Sequence, residues 1–252
     1  MIIFSREDIA YWSIFSGDNN KLHDASPPAQ CIVQGMRVFV YMLERIEHWH
    51  STNHYAFKIE AFFRRPIYTD NAYYLTMPDM NKIMFGCTAQ GNAVTATTHC
   101  NIERFTERNL SCKERISIDN EAQKKHRSHF YKVLSEPTTE LSFYCALCFS
   151  TILASRTFLT YKNKIYKNPN KYFDDYIITH LSQTVEWSPA DFQKIVNTEQ
   201  KTLNASVIEN NDNFISSNTV TRSLVYTLCI DDNEILRMKS RFLVEENKIN
   251  KE

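Results

Sequence analysis

Apolar residues recur along the first fifty positions at helical spacing and afterwards at strand spacing. Ile9, Trp12 and Phe15 follow a Ser5 to Asp8 start signal at three-residue steps until Gly17 interrupts them, which predicts a short helix over 6–16. The next residues, 18–30, carry Asn19, Asn20, Pro27 and Pro28, which favour turns and cannot continue a helix. They read as an irregular excursion between two helices. Met36, Phe39, Val40, Leu43 and Ile46 predict a second helix over 33–48. Val38, Tyr41 and Met42 make it apolar on most sides, so it should be buried on most sides. After Ser51-Thr52-Asn53 the period changes to that of strands, over 55–65, 72–78, 82–89 and 93–105. The last two flank Gln90-Gly91-Asn92, a hairpin turn.

A buried helix followed by four antiparallel strands is the order expected when a sheet wraps around that helix, the hotdog architecture. Residues 107–127 are rich in Lys, Arg, Glu, Asn and Ser and read as a linker. The remainder, 128–252, repeats the order with different residues. It has an apolar stretch at 141–159, a polar excursion with Asn163, Asn168, Pro169 and Asn170, and a short apolar segment at 177–187 that Pro189 would cut short as a second central helix. Strands follow at 201–208, 214–230 and 234–245, with Asp231-Asp232-Asn233 as a turn. The expected fold is therefore an α+β double hotdog, two antiparallel sheets each wrapped around a central helix. Residues 1–106 form the first unit and 128–252 a degenerate second one.

Charge narrows the function classes. Lys plus Arg and Asp plus Glu both number 29, so no net field favours nucleic acid or an acidic membrane surface. No run approaches the roughly 18 apolar residues of a membrane span, and the start of the chain lacks a basic region followed by an apolar stretch. A soluble, cytoplasmic protein is expected. Seven scattered cysteines do not resemble a secreted disulfide framework. Cys145 and Cys148 have redox or zinc spacing, but they lie in an apolar stretch without a second pair and read as buried thiols.

The densest chemistry lies in Phe15-Ser16-Gly17-Asp18-Asn19-Asn20-Lys21-Leu22-His23. This resembles the hydratase motif of the MaoC-like family, the (R)-specific enoyl-thioester hydratases and 3-hydroxyacyl dehydratases. Ile32-Val33-Gln34-Gly35-Met36 is similar to that family's Val-His-Gly-Met entry to the central helix, and Phe63-Arg64-Arg65-Pro66-Ile67-Tyr68-Thr69-Asp70 to its arginine-proline strand. The three stand in family order within the first ~105 residues. The resemblance implies Asp18 and His23 as the acid–base pair and the Gly35 N–H as the donor to the developing enolate oxygen. It places Asn20, Gln34 and Met36 at the substrate, with structural roles also open to Asn20 and Gln34. No cofactor or metal is implied.

The chemistry asks for such a set. Adding water across an enoyl thioester requires activation of water towards the β carbon, proton delivery to the α carbon, and a preorganised donor for the thioester oxygen. Two departures from the family pattern stand out: Lys21 where Pro is usual, which should loosen the loop, and Gln34 in place of His. The second half has no Asp-x4-His pair. Ile178-Thr179-His180-Leu181 faintly resembles a helix entry with Leu181 in place of Gly, so His180 reads as structural. The second unit is thus expected to complete an intrachain pseudo-dimer and line an acyl tunnel, with one site per chain and homodimerisation left open. Expected partners are acyl-coenzyme A or acyl-carrier-protein thioesters of a fatty-acid or polyketide pathway. The competing readings are a hotdog thioesterase with its carboxylate on the central helix, where Glu44 and Glu47 lie, and a non-catalytic acyl-binding partner.

Overall fold

The computed structural model describes residues 1–24, 30–50, 56–79, 81–100, 114–134, 139–188, 202–216, 219–230 and 233–247. Two side-by-side units share one ten-stranded antiparallel sheet. The first begins with β1 (Ile2–Ile3) and α1 (Arg6–Ser16). A capping box between Ser5 and Asp8 starts α1, and Gly17 ends it at φ +75. A Cβ at Gly17 would meet nothing, so glycine is required there for its left-handed backbone alone. A single 3-10 turn, Lys21–His23, leads to α2 (Gly35–His50). There Met36, Val38, Phe39, Val40, Tyr41, Met42, Leu43 and Ile46 are all buried, as a helix wrapped by a sheet requires. The sheet is completed by β2 (Phe57–Phe63), β3 (Ala72–Asp79), β4 (Lys82–Cys87) and β5 (Gly91–Cys100), in the order β1-β3-β4-β5-β2.

The second unit contains β6 (Glu114–Ile118), α3 (Asn120–Val133) and α4 (Glu140–Ala154). A small hairpin of β7 (Thr160–Tyr161) and β8 (Lys164–Ile165) comes next, then α5 (Pro169–Asp175) and β9 (Tyr176–Trp187). The chain closes with β10 (Leu203–Ser216), β11 (Thr219–Ile230) and β12 (Asn233–Glu246). Its strand order, β9-β12-β11-β10-β6, is the first unit's order mirrored, so the two sheets meet at β2 and β9. This is a double hotdog. At the seam Phe57 stacks on Trp187 with ring centroids 5.5 Å apart, and the central helices α2 and α4 pack together.

Three sequence expectations change. Residues 114–127 are not a linker: β6 pairs with β10 from Ile118↔Leu203 to Glu114↔Val207, and α3 packs its Phe130 against Phe15 of α1. Residues 107–113 lie outside the described residues, as do Pro27, Pro28, Ser51-Thr52-Asn53, Pro189 and the turn at 231–232. The second central helix is α4, whose residues Leu141 to Ser150 are all buried, whereas 177–187 is the seam strand β9. In β9 buried and partly exposed positions alternate only near its ends, and the run from Thr179 to Ser182 between them breaks the two-residue period that would have marked a strand. No described helix is long and apolar enough to cross a membrane.

Candidate active site

The excursion after α1 brings Asp18 and His23 together. Gly17 reverses the chain, the Asp18 N–H donates to Ser16 Oγ at 3.1 Å, and Asn20 caps the following 3-10 turn by accepting from the Leu22 N–H. His23 Nε2 then lies 3.5 Å from Asp18 Oδ2. On the far side of the ring, Nδ1 contacts the carbonyl of Ile32 at 2.6 Å, so Nδ1 carries a proton and donates it there. Ile32 is itself fixed by a bridge to Tyr68, and the Val33 N–H donates to the Ile67 carbonyl at 2.7 Å.

This tautomer decides the chemistry. With Nδ1–H engaged, neutral His23 turns a lone pair on Nε2 towards Asp18, and two acceptors face one another. A proton must lie between them. It belongs either to an imidazolium paired with the carboxylate or to a water donating to both groups. Burial, the largest influence on His23, disfavours its charge. The Asp18 carboxylate and the Ile32 carbonyl outweigh burial and hold the imidazole above its ordinary value.

The pair opens into a cavity of about 460 Å³. Its wall comes from both units: Leu22, Gly35, Phe63 and Ile67 from the first, Phe149, Leu153, Phe173 and Phe242 from the second. Exposed Arg64 and Arg65 border it, as does Glu245. Gly35 opens α2, where the first-turn N–H groups have no partner inside the helix and the helix dipole favours negative charge.

Asp18, His23 and Gly35 therefore share one cavity. The residues expected at the substrate do not line it. Met36 is wholly buried in the core. The Gln34 amide donates to Ser13 Oγ at 2.9 Å and the Ile9 carbonyl at 3.3 Å, which fastens the start of α2 to α1. Asn20 Nδ2 donates to the Ile178 carbonyl of β9 at 2.5 Å. Nor is the loop loosened at Lys21, since Asn19 reaches Asn170 at 2.8 Å and Lys21 Nζ lies 3.3 Å from Asp174. Sequence spacing could not reveal these tethers, because they come from α5 and β9 of the other unit.

His180 lies in the same cavity. β9 carries a bulge between Arg241↔Ser182 and Phe242↔His180, leaving Leu181 unpaired, and both His180 and Leu181 line the wall. There is no helix entry at this segment. The imidazole sits among Phe63, Phe149 and Phe242, with ring centroids 4.6, 5.6 and 5.1 Å away. A Cβ on Gly35 would come within 2.9 Å of its Nδ1, so the glycine leaves room for this ring. Burial pushes His180 down to about 4, against weaker opposing influences from Asp18, the Ser182 backbone and Gln183.

Glu44 does not line the cavity, and the side chain of Glu47 lies outside the described residues. Cys145 and Cys148 are buried within α4, and burial pushes the Cys148 thiol well up. No group of side chains able to hold a metal occurs among the described residues.

No protein-family model and no curated protein sequence matches the chain. Solved structures do. A protein described as a MaoC domain dehydratase from Chloroflexus aurantiacus is 9% identical with a TM-score of 0.54, over 98% of this chain and 93% of that one. A MaoC-like dehydratase is 10% identical with a TM-score of 0.50, over 96% and 94%. A conserved Mycobacterium tuberculosis protein described as a double hotdog is 7% identical with a TM-score of 0.47, over 98% and 93%. Proteins described as thioesterases also match, each with a TM-score of 0.45. At these identities the likeness is one of fold.

Proposed function

We propose that the chain is a hydro-lyase that reversibly adds water to a trans-2-enoyl thioester, giving the 3-hydroxyacyl thioester. The observation that carries this reading is the Asp18–His23 pair, two acceptors 3.5 Å apart at the edge of an apolar cavity. A water donating one O–H to each presents its oxygen lone pair to the β carbon. As the C–O bond forms, one of the pair takes a proton from the water and the alkene π electrons move towards the thioester oxygen. The Gly35 N–H at the start of α2 would stabilise that charge. Collapse of the enolate takes a proton back at the α carbon, and water has been added with no redox change.

The aromatic wall suits the acyl chain, and Arg64 and Arg65 at the border suit the phosphates of coenzyme A or a carrier-protein arm. A thioesterase would place its carboxylate to activate water at the carbonyl carbon, and Glu44 on α2 does not reach the cavity. A binding-only role leaves the pair without a purpose.

Trans-2-enoyl coenzyme A substrates of several lengths test the reading directly. Loss of the enoyl absorbance without thiol release is the expected result. Asp18→Asn and His23→Ala should each slow it by about 10²-fold or more. Thiol release, or wild-type rates in both variants, would refute the proposal.

A further inference from the structure

His180 presents a problem that the hydration pair does not explain. Both of its ring nitrogens are buried, and neither has a hydrogen-bond partner of normal geometry. Leaving a buried polar group unpaired costs about 1–3 kcal/mol, and an imidazole in an aromatic slot would be replaced at no such cost by Phe. The strand has instead spent a bulge to aim this residue and Leu181 into the cavity together. Bulges beside active sites re-aim side chains in this way.

The position of the ring is as telling. It rests on Gly35, so closely that a single added carbon there would strike Nδ1. A thioester that reaches the Gly35 N–H must therefore meet His180 and turn or displace it. Phe63, Phe149 and Phe242 surround the ring without supplying a polar group. The polar groups that act on the ring, Asp18, the Ser182 backbone and Gln183, make no hydrogen bond of normal geometry to it, so its nitrogens stay open to a ligand in the cavity.

We infer that His180 is a second donor to the substrate: on entry of an acyl thioester its ring leaves the face of Gly35 and turns an N–H onto the thioester oxygen, beside the Gly35 N–H. This rests on the hydratase reading for its catalytic consequence, though not for the binding contact itself. A neutral imidazole is suited to the task. With its ionisation pushed down to about 4 it remains uncharged at neutral pH, keeps one N–H to donate, and does not compete with His23 for the proton that moves.

The test uses the full chain and hexanoyl-coenzyme A labelled with 13C at the carbonyl, a saturated thioester that cannot be hydrated. Infrared difference spectra should show the bound carbonyl band at lower frequency than in solution, and in His180→Phe the band should move back towards the solution position. The 15N resonances of His180 in the wild-type protein should shift when the same thioester is added. This measurement keeps the inference falsifiable if the variant fails to fold. With trans-2-hexenoyl-coenzyme A, His180→Phe should lose about 10²-fold in kcat with little change in KM, and His180→Asn, which restores an N–H donor, should recover part of it. An unchanged carbonyl band and turnover in His180→Phe, or unmoved His180 resonances in the wild type with thioester bound, would overturn the inference. Carbonyl polarisation that depends on His180 in a protein unable to hydrate the enoyl substrate would instead overturn the hydratase reading and leave this contact standing.

Discussion

At the scale of single residues, the Asp18–His23 contact makes activity a function of pH with a definite sign. When His23 is protonated its Nε2–H pairs directly with Asp18, and the water that should bridge them loses both acceptors. The hydration rate should therefore rise with pH through the His23 ionisation, whose limb lies above the ordinary value of 6.5. In Asp18→Asn the carboxylate that raises the imidazole is gone while burial remains, so the His23 titration followed by NMR should move to lower pH. A titration that stays in place would show that the carboxylate does not govern His23. For folding the sign is opposite. A group raised on folding contributes stability that is complete below its unfolded value and fades as pH climbs through the folded one. Gly35 gives a second prediction at this scale. Alanine at the start of a helix should gain up to about 1 kcal/mol in propensity, but its Cβ would lie 2.9 Å from His180 Nδ1 and 3.0 Å from its Cβ. Gly35→Ala should be destabilising in wild type and partly relieved in His180→Ala, which removes the ring but keeps its Cβ, with a coupling of about 0.5–3 kcal/mol by denaturant unfolding. Additive effects would mean that the ring does not set the need for glycine.

Among the elements, legibility followed locality. The cap and stop of α1 and the Asp18 to His23 spacing are carried by residues within a few positions of one another, and these could be read directly. β6 and the first half of α3, up to Arg127, read as linker because a five-residue edge strand followed by helical turns with no fully buried large side chain has the composition of a solvated segment. Local signals also misjudged Lys21. It opens the 3-10 turn, and Asn20 before it already holds φ −63 and ψ 133, the conformation that proline imposes on its predecessor. Lys21→Pro should gain about 0.4–1 kcal/mol from the stiffer unfolded chain and lose at most about 1 kcal/mol from the exposed Asp174 pair. The net change in stability should be within about 1 kcal/mol by these figures, with hydration kept; a collapse of activity would show that Lys21 does more than hold α5. The α5 excursion is itself fastened by Arg222 of β11. Its wholly buried guanidinium donates to Glu209, to the carbonyls of Thr157 and Phe158, and to the Tyr172 hydroxyl. Arg222→Met strands all four acceptors and should cost about 3–5 kcal/mol. A shift below 1 kcal/mol in urea unfolding would contradict that account.

At the scale of the whole molecule, the second unit had been expected to supply shape only, because it lacks an Asp-x4-His pair. It also supplies β9, and β9 carries the seam, a tether at the Ile178 carbonyl for the loop that holds Asp18 and His23, and His180. None of this is visible in the sequence, because the contacts that join β9 to the first unit link residues more than a hundred positions apart. The consequence is mutual dependence. Residues Phe57 to Phe62 of β2 pair in register with Trp187 to Ser182, and the stacked rings of Phe57 and Trp187 are buried only while both units are present. Residues 1–106 made alone would expose an unpaired strand edge and the face of α2 that α4 covers, a surface that favours association over solubility. That fragment should aggregate or pair with itself, and should not hydrate enoyl thioesters although it holds Asp18, His23 and Gly35. In the intact chain, urea unfolding followed through Trp12 of the first unit, through Trp187 of the second, and through activity should give coincident transitions. Variants that keep one of these tryptophans, with the others replaced by Phe, make the comparison. A Trp187 transition well separated from that of Trp12, or a soluble and active fragment 1–106, would show that the seam does not couple the units, and would confine the site to the first unit alone.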